Sequence, residues 1–227
     1  DVERSRGLGD VYKRQISRYL MYTQVYFHHT VRGAMCLLER IVKRAMDLYR
    51  DGKEIEIHSD SLRKIMDGED LKVEDYLNMD DYTIIGHVLM WKNSKDKILR
   101  TLCDRFLNRR LFKSLEFSAY SLSYQKFLEN KNVVIKIVSK ETGYDPEDVE
   151  KYYLMVDMSR DVPYKPYFYG ESEEGAEPIY VLMQNSKIAR IQDVSDIIRA
   201  LVGKEKIKVR IYLPDDRCRK RIRTFLS

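Results

Sequence analysis

A chain of 227 residues with 41 basic and 36 acidic side chains carries a net charge of +5, enough to admit a phosphate-bearing partner and too little to demand one. Its three cysteines, Cys36, Cys103 and Cys218, are far apart and show no C-x-x-C spacing, which argues against a disulfide framework or zinc site and fits a cytoplasmic location. No apolar run reaches the length of a membrane span, and the charged N-terminus shows no signal-peptide h-region.

Ser5 to Gln15 reads Ser-Arg-Gly-Leu-Gly-Asp-Val-Tyr-Lys-Arg-Gln. That string is the translation of a common transposase-library sequencing adapter. Residues 1–15 are therefore expected to be a non-native leader on a metagenomic gene fragment, with native sequence starting near Ile16 and extending further upstream in the parent gene.

From Ile16 to Arg50 the spacing predicts one long helix, ended by Asp51-Gly52. Leu20, Phe27, Val31, Ala34, Leu38, Ile41, Ala45 and Leu48 recur at three- and four-residue steps and fall within an arc of about 100°, the core face. Helices are predicted over Ser61–Met66, Asp80–Lys92, Lys95–Asn108 and Tyr124–Lys140, with Leu111–Phe117 as a short strand. Tyr152–Asp157, Ile179–Met183 and Lys206–Leu213 read as strands, Pro163 to Pro178 as a loop, and Asp193–Leu201 and Asp215–Phe225 as helices. The fold class is α+β. A mainly helical first part, 16–143, precedes a small α+β lobe, 144–227, with a short antiparallel sheet.

On the first helix Arg18, Tyr22, Tyr26 and His29 are spaced by four, four and three, within roughly 80° of one another and opposite the apolar face. Gly33 shares the stripe, where the missing side chain lets something approach closely. A guanidinium fork suits phosphate oxygens and a phenol suits a sugar or base, so the stripe fits an anionic, sugar-bearing ligand. A solvated face packed on another helix fits the same spacing.

The segment Ser17-Arg-Tyr-Leu-Met-Tyr-Thr-Gln-Val-Tyr-Phe-His-His-Thr-Val-Arg-Gly33 resembles the helix that follows the metal centre in HD-superfamily phosphohydrolases of the dNTP triphosphohydrolase type. Met79-Asp-Asp-Tyr82, Asn108-Arg-Arg-Leu-Phe-Lys113, Asp193 to Val202 and Lys208 to Tyr212 are similar to later parts of those enzymes, in the same order. The resemblance implies a divalent metal held by a His, a His-Asp doublet and a later Asp, activating water for attack on a nucleotide phosphate. Those ligands would lie upstream of Ile16. It also implies that Arg18 binds substrate phosphates, that Tyr26 packs on the deoxyribose and that Tyr22 lines the pocket. His29 stands where many relatives use a lysine for a regulatory nucleotide. Arg109, Arg110 and Lys113 fall near a subunit-interface effector site, and the family tends to form homo-oligomers.

This chain contains no His-Asp doublet, so the fragment alone is expected to bind no catalytic metal and hydrolyse nothing. His28 and His29 point about 100° apart on a helix, and His58 and His87 stand alone. Asp80-Asp81 reads as a helix cap rather than an acid/base pair. Arg217, Arg219, Lys220, Arg221 and Arg223 form a basic C-terminal helix, a solvated face by default and a nucleic-acid contact as the alternative. The rival to the phosphohydrolase reading is thus a nucleic-acid-binding or oligomerisation module.

Overall fold

The computed structural model describes residues 13–14, 16–17, 20–161, 180–183, 186–201 and 206–227. Arg18 and the Pro163–Pro178 loop lie outside them. Helices are α1 (His29–Arg50), α2 (Asp60–Asp67), α3 (Val73–Leu77), α4 (Asp81–Trp91), α5 (Lys97–Leu107), α6 (Leu122–Glu129), α7 (Lys131–Thr142), the single turn α8 (Pro146–Asp148), α9 (Ile191–Val194), α10 (Asp196–Leu201) and α11 (Asp216–Leu226). Strands are β1 (Lys113–Ser118), β2 (Met155–Asp161), β3 (Tyr180–Leu182), β4 (Ile188–Arg190) and β5 (Lys206–Leu213). Two π-helical segments, Tyr22–Tyr26 and Val149–Tyr153, complete the described elements. The class is α+β, as the sequence implies.

The chain divides into two compact units, Asp1–Val31 with Met158–Val209 and Arg32–Asp157 with Arg210–Ser227. This is not the division near residue 143 that composition suggests. Tyr152, Tyr153, Met155 and Tyr212 enter the same core cluster as Leu37, Ile41 and Trp91, so the first part of the expected lobe packs with the helices.

In the larger unit α1 buries Cys36, Leu37, Ile41, Ala45 and Leu48 against Leu62, Met66, Val88, Trp91, Leu99 and Leu102. Burying side chains of this size stabilises by about 1.5–3 kcal/mol each, so this interior supplies most of the unit's cohesion. The Trp91 indole donates to the Glu56 carbonyl at 2.8 Å, so its one polar atom is satisfied. Asp96 caps α5 through the Leu99 amide at 2.7 Å and also accepts both prongs of Arg44, at 3.1 and 2.7 Å. Arg44 in turn donates to the Tyr152 hydroxyl at 3.2 Å, which donates to Asp47. The network ties α1, α5 and the second π segment together. The three-stranded sheet has the order β1-β5-β2, and β2 and β5 run across the division between the units.

In the smaller unit β3 and β4 form an antiparallel ladder with Tyr180 opposite Arg190 and Leu182 opposite Ile188. The turn between them includes Ser186 at φ 62°.

Three expectations need correction. The first helix is not continuous: the Phe27 amide bonds back to the Tyr22 carbonyl, a π turn, and Phe27 leaves helical geometry at φ −96°, ψ 13°. The His28 imidazole then accepts from the Thr30 amide at 3.3 Å and caps the new start. Leu20 and Val31 are accordingly exposed, while Ile41, Ala45 and Leu48 are buried as the periodicity requires. The Tyr124–Lys140 helix is two helices broken at Asn130, whose side-chain amide donates to the Lys126 carbonyl at 2.9 Å in competition with the backbone. Asp193–Leu201 likewise breaks at Ser195, into α9 and α10.

Candidate functional site

Of the tyrosine stripe, Tyr22 and Tyr26 remain neighbours. Their rings lie 5.2 Å apart at 45°, and Phe27 sits 6.0 Å from Tyr22. They are 38% and 49% exposed, so both side chains are partly accessible from the surface. Both belong to the smaller unit, as does His29, whose ring lies 4.2 Å from that of His28 at a tilt of 40°. The π turn inserts one residue into the helical count, about 100° of phase, so Tyr22 and Tyr26 lose the register with His29 that an unbroken helix would give.

Gly33 is also explained differently. What approaches it is the Tyr212 ring of β5: a Cβ on Gly33 would stand 2.8 Å from Tyr212 Cε1. The glycine serves helix-to-sheet packing inside the larger unit. Just before it, Arg32 grips the buried Asp157 with both prongs, Nε at 3.0 Å and Nη2 closer still. The hydrogen bond to Asp157 holds the Arg32 guanidinium above its usual range. Sequence reading missed this pair because 125 positions separate its members and neither belongs to a motif.

Arg109, Arg110 and Lys113 lie between the end of α5 and the start of β1. The Arg110 amide bonds to the Arg105 carbonyl at 2.8 Å and the Arg109 amide to that of Phe106 at 3.1 Å, which closes the helix with Arg109 in left-handed geometry at φ 53°. That position ordinarily takes glycine. The Arg110 side chain pairs with Asp104, and Lys113 stands 3.9 Å from Asp216. Arg105, which no motif singles out, lies 4.7 Å over the Phe112 ring and donates to the Pro214 carbonyl. Burial holds its guanidinium below the usual range, and its Nε finds no acceptor among the described residues. Its position in the third turn of α5 gives no motif by which sequence could have found it.

The histidines do not converge. His87 accepts the His58 amide at Nε2 (3.1 Å) and therefore donates from Nδ1 to the Thr83 carbonyl at 2.6 Å, a neutral, fully used ring. The His58 side chain is exposed and 3.8 Å from Glu56. Among the described residues no three His, Cys, Asp or Glu side chains are placed to hold a metal ion. Asp80 accepts from the Thr83 amide at 2.8 Å, which is the cap role expected of it. No described helix is long and apolar enough to cross a membrane.

These features define an α+β domain built on a long helix, with exposed tyrosines and a basic helix end. Its described donor set does not make a metal centre. The chain belongs to the HD associated region family, whose model matches residues 54–225. It is 36% identical over 217 residues to the uncharacterized protein YwfO of Bacillus subtilis (strain 168), which covers 95% of this chain and 47% of that protein. Its fold is similar to the crystal structure of a phosphohydrolase from Bacteroides thetaiotaomicron VPI-5482, with a TM-score of 0.74 and 21% identity over 92% of this chain and 51% of the other. The chain thus spans about half the length of the relatives it matches.

Proposed function

We propose that this chain is the C-terminal part of an HD-superfamily phosphohydrolase of the dNTP triphosphohydrolase type, acting on (deoxy)nucleoside triphosphates or related phosphate esters. The observation that carries the reading is membership of a family associated with HD domains, on a fold shared with a phosphohydrolase. In this reading the divalent metal is held by ligands upstream of Ile16, as the family resemblance implies; among the described residues no donor cluster would hold it. No hydrolytic step is therefore assigned to these residues.

In this reading Arg18 binds substrate phosphates, Tyr26 packs on the sugar and Tyr22 lines the pocket. His29, Arg109, Arg110 and Lys113 contribute to an effector-nucleotide site in a homo-oligomer. The partial exposure of Tyr26 supports the sugar-packing role. The turn at Arg109 supports the effector role, since an arginine in a glycine geometry stands exposed at the helix end.

The test begins with the genomic DNA upstream of Ile16, where the reading requires a histidine, a His-Asp doublet and a further aspartate. The intact protein with manganese and a dNTP panel should release phosphate or triphosphate, and Tyr26→Ala should weaken KM up to about tenfold. The present chain alone should release none. Hydrolysis by it, or an upstream frame without such ligands, overturns the proposal.

A further inference from the structure

Positive charge is not spread evenly over this molecule. The eleven residues of α11 carry Arg217, Arg219, Lys220, Arg221 and Arg223 against Asp216 alone. Setting them aside leaves 36 basic against 35 acidic residues in the rest of the chain, so the net charge of +5 resides almost wholly on one helix. The helix is firmly held. Cys218, Ile222 and Leu226 are buried beneath it, and the Asp215 carboxylate caps it through the Cys218 amide at 2.8 Å.

Arg217, Lys220 and Arg221 share one stripe and, with Thr224, form one wall of a groove of about 660 Å³. Ile137 and Glu141 of α7 form the other wall, and Phe225 contributes an aromatic edge. Lys126 lies 5.6 Å over the Phe225 ring and adds a cation beside it. Exposed Lys136 and Lys140 flank the groove on α7.

The acids nearby leave most of this charge unspent. Arg217 meets Asp215 at 3.4 Å and Arg221 meets Glu141 at 3.6 Å, with the arginine side chains 75% and 65% exposed. Exposed pairs of that length contribute little and exchange readily for a better anion. Lys220 and Arg223 have no acidic partner among the described residues.

We propose that the groove between α7 and α11 binds single-stranded nucleic acid through its phosphates, without reading base edges. Three cations over about 6 Å of helix axis match a run of consecutive phosphates, and Phe225 and Ile137 offer a base an apolar contact. A concave site with charge on one wall suits a flexible strand that can enter it. The inference stands apart from the catalytic reading, which assigns no role to any residue of α11.

Anisotropy of a labelled oligo-dT with the full chain, at about 50 and about 200 mM salt, tests it. Three neutralised phosphates give a slope near −2 in log affinity against log salt, hence a loss of about 18-fold across that range. The triple variant R217A/K220A/R221A should bind at least about tenfold more weakly and lose most of the slope. K92A/K95A/K97A, which removes the same charge elsewhere, should bind as the parent does. If the first variant melts lower than the parent, Lys220→Ala alone carries the test, with the slope falling by about 0.7. Absence of binding at low salt overturns the proposal. So do equal losses in both triple variants, an unchanged Lys220→Ala slope, and binding to phosphatidylserine vesicles in place of the oligonucleotide.

Discussion

Replacing Gly33 by alanine asks whether the close approach at the start of α1 belongs to the fold or to a ligand. The new methyl would sit 2.8 Å from Tyr212 Cε1 and 3.4 Å from Cδ1, inside the roughly 3.5–4.0 Å at which carbons attract. Tyr212 is 1% exposed within β5 and cannot swing into solvent. Overpacking of this kind costs about 1–3 kcal/mol, and the better helix propensity of alanine returns about 1 kcal/mol. The expected net loss is up to about 2 kcal/mol, a fall in Tm of up to about 8 °C for a chain of this size by calorimetry or circular dichroism. In a Tyr212→Ala background the clash is gone, and Gly33→Ala should become stabilising. If Gly33→Ala raises Tm in the parent, Tyr212 does not confine this position and the packing argument fails.

Arg109→Gly should stabilise by roughly 1 kcal/mol, because glycine adopts left-handed geometry without the Cβ penalty; an unchanged or lower Tm would show that the arginine repays its strain within the fold. Burial pushes the Asp96 carboxyl up, but hydrogen bonds from Arg44 and the Leu99 amide prevail and hold it below the usual carboxylate range. Its stabilisation is therefore complete above about pH 4 and is lost as the pH falls further. Asp96→Asn should flatten the acid limb of a Tm–pH profile, and a parallel profile would refute this. Burial raises the thiol of Cys36 to about 11 and those of Cys103 and Cys218 to about 12. At about pH 8 Ellman's reagent should react slowly with all three in the folded chain and rapidly in guanidinium; a fast native thiol would contradict their burial.

What the sequence made legible was local. Asp51-Gly52 ends α1 because Gly52 takes φ 67°, and Asp80 and Asp215 cap helices because their carboxylates reach amides three residues on. β5 runs over Lys206–Leu213, the range its β-branched residues indicate. What stayed hidden depends on distant partners or on small backbone choices. Nothing near Phe27 announces a π turn, since neither proline nor glycine stands there. The five-residue α3 is too short for periodicity to show. The Arg32–Asp157 pair and the seat of Gly33 against Tyr212 join residues far apart in the chain, where spacing says nothing. For the candidate site, the neighbourhood of Tyr22 and Tyr26 was readable from their i, i+4 spacing, whereas the half-buried cation of Arg105 was not.

Helix α1 has one more implication. The recurring family region spans residues 54–225, yet Leu37, Ile41, Ala45 and Leu48, which precede it, form part of its interior. A segment that borrows a wall from the stretch before it makes a poor cassette. Transplanted by recombination without that helix, it would arrive with its hydrophobic interior open to water. A substitution in α1 therefore reaches the interior of the region that follows it.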